Sequence, residues 1–293
     1  MVPAFKSLTR PRHSWGIITS FTIWLVLVVL IGLRYQVGGD WSIYLEILDL
    51  HSVPWDEIKG RIEPLFGLLN YFSSRLGLGV YGINVICASI FSFGLVYFCN
   101  MAKRPWLALT MAIPYTVIVI GMGYMKQSVA VGLLLIGYVS LAKGKVRDFI
   151  ILLFLASGFH NTSLIVAPLA LPHISSKYLT NRFFKIGLAV GSIGLIGRLF
   201  LYDKIQFFIK GYIASGMQSG GAVIRIVLNL IPALLFLIYQ NRLNIDKNVR
   251  KVWISISLFC IAFAINTKNI PNIAPHIPAT KYITIAEVLF FIS

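Results

Sequence analysis

Acidic residues are scarce in this chain. Ten Asp and Glu stand against 26 Lys and Arg in 293 residues, and charged types together make up only 12%. With 57% hydrophobic residues and a mean hydropathy of +0.80, there is too little polar surface to cover a water-soluble body of this size. That excludes the soluble classes and makes lipid the solvent. Cysteine is rarer still. Cys87, Cys99 and Cys260 stand singly inside apolar runs, which excludes a disulfide framework and a spaced metal site and leaves them as small buried side chains. Internal repeats and low-complexity tracts are missing. So is the strand-like alternation of an outer-membrane barrel, which leaves helices as the spanning state. No small-residue cleavage site comes after the first apolar run, since Arg34 comes directly after Leu33, so that run is expected to remain as an anchor.

Apolar runs of spanning length recur along almost the whole chain. They cover Gly16 to Leu33, Val80 to Cys99, Trp106 to Tyr124, Ser128 to Ala142, Phe149 to Pro172, Phe183 to Tyr202, Val223 to Tyr239 and Val252 to Ile265. A last stretch, Tyr282 to Ile292, is too short to span alone. The pattern predicts an all-α, polytopic transmembrane bundle of about 8 to 10 membrane segments, some partial or re-entrant, in a single membrane domain over residues 1–293. The formal charge of +16 does not point to nucleic acid, because the basic residues fall in alternate short loops. Lys6, Arg10 and Arg12 precede the first run; Lys103 with Arg104, Lys143 with Lys145 and Arg147, Lys177 with Arg182, and Arg242 with Lys247, Arg250 and Lys251 form the other clusters. These loops and the N-terminus are predicted to be cytoplasmic. Asp40, Glu46, Asp49, Asp56, Glu57 and Glu63 crowd the stretch after the first run, which is therefore predicted to lie outside.

Loop parity adds two expectations. Residues 62–99 must cross only once, so Pro64 to Leu78 is read as a partial or interfacial helix. Phe149 to Pro172 lies between two basic loops and should enter and return, turning at Phe159-His160-Asn161, with Asn161, Thr162 or Ser163 capping a second short helix.

Five polar groups lie where a lipid-facing wall would not place them. Beyond the first run, Arg34 offers a planar donor fork suited to phosphate, Gly38 and Gly39 let backbone approach a ligand, and Asp40 adds a carboxylate. The competing reading is an interfacial anchor, with Tyr35 and Trp41 in the aromatic belt. Glu63 precedes Pro64 and serves equally as a helix cap or a catalytic carboxylate. Lys126 and Gln127 separate two apolar runs and are either a helix boundary or ligand-binding groups. His160 stands in an apolar context at a predicted break, as a packing histidine or a functional one. Gly220, Gly221 and Arg225 come after a long outer loop, Arg225 either snorkelling or binding. Arg34, Lys126 and Arg225 all fall at the outer face, against the positive-inside rule, and a phosphate or pyrophosphate there would account for them.

These segments resemble the EpsG-like branch of the Wzy polysaccharide polymerases. The matching elements are RYQVGGDWSIY, EPLFGLLNYFSSRLGLG, GYMKQSVAVG, ASGFHNTSLIVAPLALP and YIASGMQSGGAVIRIVLNLIP, in order over most of residues 30–240. Two departures stand out. The family pattern has Arg before Gln where this chain has Lys126, and members continue into a serine-and-arginine motif where this chain reads INTKNIPNIAPHIPATKYITIAEVLFFIS, so a truncated C-terminus is expected.

The resemblance implies polymerisation of undecaprenyl-pyrophosphate-linked oligosaccharide units into O-antigen, capsule or exopolysaccharide, at the outer face of the bacterial cytoplasmic membrane. It implies a glycosyltransferase with no cofactor or metal, working in membrane lipid with a chain-length regulator and a flippase of the same pathway. On that reading Arg34, Arg225 and Lys126 stabilise the leaving pyrophosphate, helped by Gly38, Gly39, Gln127, Gly220 and Gly221, while Asp40, Glu63 or His160 orients or deprotonates the acceptor hydroxyl. A flippase for the lipid-linked sugar and a non-catalytic assembly component are the alternatives.

Overall fold

The computed structural model describes residues 14–38, 40–50, 63–173, 222–243 and 245–268. Every regular element among them is helical. In chain order these are α1 (Ile17–Gly32), α2 (Trp41–Leu50), α3 (Pro64–Arg75), α4 (Gly79–Met101) and α5 (Pro105–Ala112), which runs into a π-helical segment (Ile113–Gly121). Then come α6 (Met125–Ala142), α7 (Val146–Phe159), a 3₁₀ helix (Asn161–His173), α8 (Ala222–Tyr239) and α9 (Lys247–Lys268). The helices α4 and α6 are long and apolar enough to cross a membrane; α1, Pro105–Gly121 and the end of α8 are shorter apolar helices. The expected run Phe183 to Tyr202, the C-terminal stretch Tyr282 to Ile292 and the basic N-terminal residues lie outside the described residues.

The chain divides into two compact units. One holds the described residues up to Ser140 with Arg147–Ser163; the other holds Leu141–Val146 and the described residues from Leu164 onward. In the first, α1 and α4 run antiparallel. Gly32 meets Val85 near one end, Trp24 Nε1 donates to the Ser89 carbonyl at 3.0 Å, and the Trp15 amide donates to Asn100 Oδ1 at 2.7 Å near the other. A Cβ on Gly32 would sit 3.0 Å from Val85 Cα. Where α4 crosses α6, Gly94 faces the backbone of Gly132, and a Cβ on Gly132 would stand 2.6 Å from Phe91 Cα. Close backbone approach at small residues is how helices gain dispersion energy where lipid supplies no hydrophobic drive between them. In the second unit α8 and α9 pack together, with Phe236 against Trp253 at 6.3 Å and Lys251 Nζ donating to the Pro172 carbonyl.

Two features of the winding bear on the site. Pro114 contributes no amide to the ladder of α5, and from Ile113 the chain is wound as a π-helix up to Gly121. The helix α7 stops at Phe159, at the predicted break. The segment beyond it is not an α-helix capped by Asn161, Thr162 or Ser163. It is a 3₁₀ helix carrying Pro168 and Pro172, and the Ser163 hydroxyl donates back to the His160 carbonyl at 2.7 Å. The prolines deny α-type donors to this segment, and the serine caps the end of α7 instead.

Candidate functional site

The partial helix expected over Pro64 to Leu78 is present as α3, which ends at Arg75 and begins immediately after Glu63. Pro64 at its first turn needs no amide partner, and Glu63 makes no side-chain cap. The carboxylate is thus turned to other use. Its Oε2 accepts from Lys126 Nζ at 3.1 Å, and its Oε1 lies 3.8 Å from His160 Nδ1. Three residues read separately from sequence, at the start of α3, in the first turn of α6 and just past the end of α7, therefore meet at one point.

All three are largely withdrawn from solvent. Side-chain exposure is 11% for Glu63, 24% for Lys126 and 10% for His160. Burial pushes the Glu63 carboxyl up, but the His160 ring, the charge of Lys126 and the local backbone amide pull it the other way, and the balance leaves it at about 2. Glu63 is therefore an anion at neutral pH. The Lys126 ammonium also lies 5.6 Å from the centre of the Phe66 ring, a cation–π contact from the first turns of α3.

Arg34 comes after the last turn of α1 and is buried, with 5% exposure. Its Nη1 donates to the Ile31 carbonyl at 2.8 Å and to the Gly121 carbonyl at 3.4 Å. It thus ties the end of α1 to the end of the π-helical segment, satisfying carbonyls that helix termini leave orphaned. Its Nε is buried without a hydrogen-bond partner among the described residues.

Gly38 has φ +103, in the region reserved for glycine, and a Cβ there would stand 2.7 Å from the Gly123 carbonyl oxygen. The loop after α1 is thereby seated on the turn that opens α6. Asp40, half-buried, lends its carbonyl to the Tyr44 amide at 3.1 Å. Gln127, next to Lys126, is 3% exposed, and its Nε2 has no hydrogen-bond partner among the described residues.

Gly39, Gly220 and Gly221 lie outside the described residues. Arg225 lies on α8, in the second unit.

Sequence reasoning missed Tyr44. It lies on α2, is 2% exposed, and packs on Phe66 with ring centroids 5.9 Å apart. Burial first, then the charge of Asp40, raises its phenol well above the usual range, against the backbone amide of Lys126 and the charge of Arg34. The phenol thus connects the loop after α1 with the start of α6. In the pattern WSIYLEILDL, Tyr44 falls on the apolar face with Ile47, so sequence presents it as core. Its only distinguishing signal is a hydroxyl in a buried row.

Two helices long and apolar enough to cross a membrane, and a shielded Glu, Lys and His cluster, give the described residues the features of one class: an apolar helical protein, consistent with a membrane setting, with polar chemistry recessed in its helix packing. The chain belongs to the EpsG family, whose sequence model matches residues 17–293. Membership carries a polysaccharide polymerase-like role, glycosyltransferase-like in its coarse chemistry. No curated protein and no solved structure matches the chain.

Proposed function

We propose that this chain, a single multi-pass domain of the bacterial cytoplasmic membrane with its N-terminus inside, polymerises undecaprenyl-pyrophosphate-linked oligosaccharide units at the outer face. The product would be O-antigen, capsule or exopolysaccharide. The observation that carries the reading is the convergence of Glu63, Lys126 and His160. An acceptor hydroxyl needs a base, and a departing pyrophosphate needs cations. Both kinds of group stand here, linked by one carboxylate.

The roles divide by protonation. A carboxylate held at about 2 is a weak proton acceptor near neutrality, so Glu63 orients and does not abstract. His160, whose Nδ1 lies 3.8 Å from Glu63 Oε1, is the base that takes the proton of the acceptor hydroxyl. The acceptor oxygen bonds the anomeric carbon while the bond from that carbon to the pyrophosphate oxygen breaks, and the electron pair leaves with the pyrophosphate. Lys126 contacts the developing charge. Arg34, its Nη1 committed to two carbonyls, contributes the charge of its guanidinium, and Arg225 on α8 is a separate candidate for binding anionic substrate. Asp40 hydrogen-bonds sugar hydroxyls.

The test is complementation of a strain lacking the gene, read as polymer ladders on a gel. Wild-type chain restores long polymer, and Lys126→Gln leaves single capped units. Loss of even the single units in the Lys126→Gln strain would indicate flipping and overturn the polymerase reading.

A further inference from the structure

The loop between α1 and α2 carries an exposed tyrosine that the structure takes unusual trouble to hold still. Tyr35 is 65% exposed, the residue next to buried Arg34. Its ring meets Trp41 edge-on, with centroids 6.1 Å apart, and its hydroxyl accepts from Gln36 Nε2 at 3.0 Å. Gln36 has φ 52, the one non-glycine residue with positive φ among those described. A side chain in that region is strained, and such strain persists only where the surroundings enforce it. Here they do. Arg34 pins one end of the loop to the carbonyls of Ile31 and Gly121, Gly38 is wedged against Gly123, and the Trp41 amide closes back on the Gly38 carbonyl at 3.3 Å.

An exposed aromatic ordinarily turns freely, and ordering it on binding costs entropy. One fixed in advance offers a flat, amphipathic surface without that penalty. Membrane anchoring at the interface requires only an aromatic ring at the right depth, not a clamped one. A hexopyranose, with one face of C–H bonds and a rim of hydroxyls, matches an exposed ring with an amide at its hydroxyl. We infer that Tyr35, braced by Gln36 and Trp41, is a carbohydrate subsite that stacks against a pyranose ring of the lipid-linked repeat unit. This rests on the polymerase reading. Its position next to Arg34 puts the sugar beside the end of the molecule where the pyrophosphate would be held.

The experiment uses the full chain in lipid nanodiscs. The probe is the soluble oligosaccharide cut from whichever polymer disappears when the gene is deleted. Binding is measured by saturation-transfer NMR and isothermal titration. Tyr35→Ala should weaken binding roughly 3- to 10-fold. Tyr35→Phe should keep most of it, and Gln36→Gly, which retains the backbone but drops the clamp, should fall between. In turnover with lipid-linked substrate, Tyr35→Ala should raise KM with kcat nearly unchanged. Tyr35 is exposed, so the alanine variant is expected to fold, and its amount in the membrane is the check. Equal oligosaccharide binding by wild-type and Tyr35→Ala would overturn the subsite and leave the polymerase reading standing. Deletion without loss of any polymer would remove the polymerase reading, and the subsite with it.

Discussion

Gly38 and Gly123 are in backbone contact, yet the contact is one-sided: a Cβ on Gly38 would stand 2.7 Å from the Gly123 carbonyl oxygen, whereas a Cβ on Gly123 would meet nothing within 4 Å. The two glycines belong to motifs that sequence shows only as separate short signals. Their contact is what seats the loop carrying Arg34 and Asp40 on the turn that presents Lys126.

From this asymmetry we predict opposite outcomes for two similar substitutions. Gly38→Ala meets both a clash with backbone and a φ of +103, and should cost about 1–3 kcal/mol. Gly123→Ala should be within about 0.5 kcal/mol of wild type. Thermal unfolding in detergent, monitored by near-UV circular dichroism, checks both; equal melting temperatures for the two variants would mean that the loop does not rest on this turn.

The pairing of Glu63 implies a defined acid sensitivity. Its carboxyl is lowered from 4.5 to about 2, so its contribution to stability is fully present above pH 4.5 and is lost as pH falls toward 2. The size is on the order of 3 kcal/mol. Glu63→Gln should flatten the stability profile over that window and leave its shape unchanged above it. The profile is obtained from denaturant midpoints at a series of pH values. A wild-type curve already flat between pH 4.5 and 2 would contradict the pairing.

Arg34 and Lys126 should fail differently when truncated. Arg34→Ala strands the Ile31 and Gly121 carbonyls, at about 1–3 kcal/mol for a buried group left unpaired, and is expected to lower the amount of folded protein. Lys126→Gln removes the point charge on Glu63, and with it part of that pair's stabilisation, but strands no backbone carbonyl, while Lys126→Arg should retain activity because a guanidinium can reach the same carboxylate. Membrane-inserted protein is quantified beside polymer. Normal polymer from Lys126→Gln would remove Lys126 from the site.

Much of the helical framework was legible from apolar length. The runs Val80 to Cys99 and Ser128 to Ala142 fall inside α4 and α6, and the partial helix after Glu63 and the break at His160 lie where loop parity put them. Of the candidate residues, Glu63, Lys126 and His160 were legible singly but not as an arrangement. Periodicity marks a polar residue in an apolar run, but it does not carry the direction of a carboxylate; hence Glu63 read equally as a cap, and Arg34 as an open fork, although its Nη1 closes two helix ends. Tyr44 and the π-helical winding after Pro114 were illegible, since a buried phenol looks like core and a π turn leaves no compositional trace.

For His160 the functional and packing roles lead to opposite mutational patterns. Its Nδ1 stands 3.8 Å from Glu63 Oε1, within ion-pair reach but beyond hydrogen-bond length. If the ring accepts the acceptor's proton, His160→Gln should fold normally, because glutamine keeps polar contacts, yet lower polymerisation about 10²- to 10⁴-fold, because it cannot carry a proton near neutral pH. Glu63→Gln should then reduce activity less than His160→Gln, since the ring is misoriented but still present. A packing histidine gives the reverse order. His160→Gln would be nearly silent, and His160→Leu would lower folded protein by removing a polar group from beside a buried carboxylate, at about 1–3 kcal/mol. Polymer formed per unit of membrane-inserted protein, measured for all three variants, distinguishes them. Full specific activity in His160→Gln would take His160 out of the chemistry.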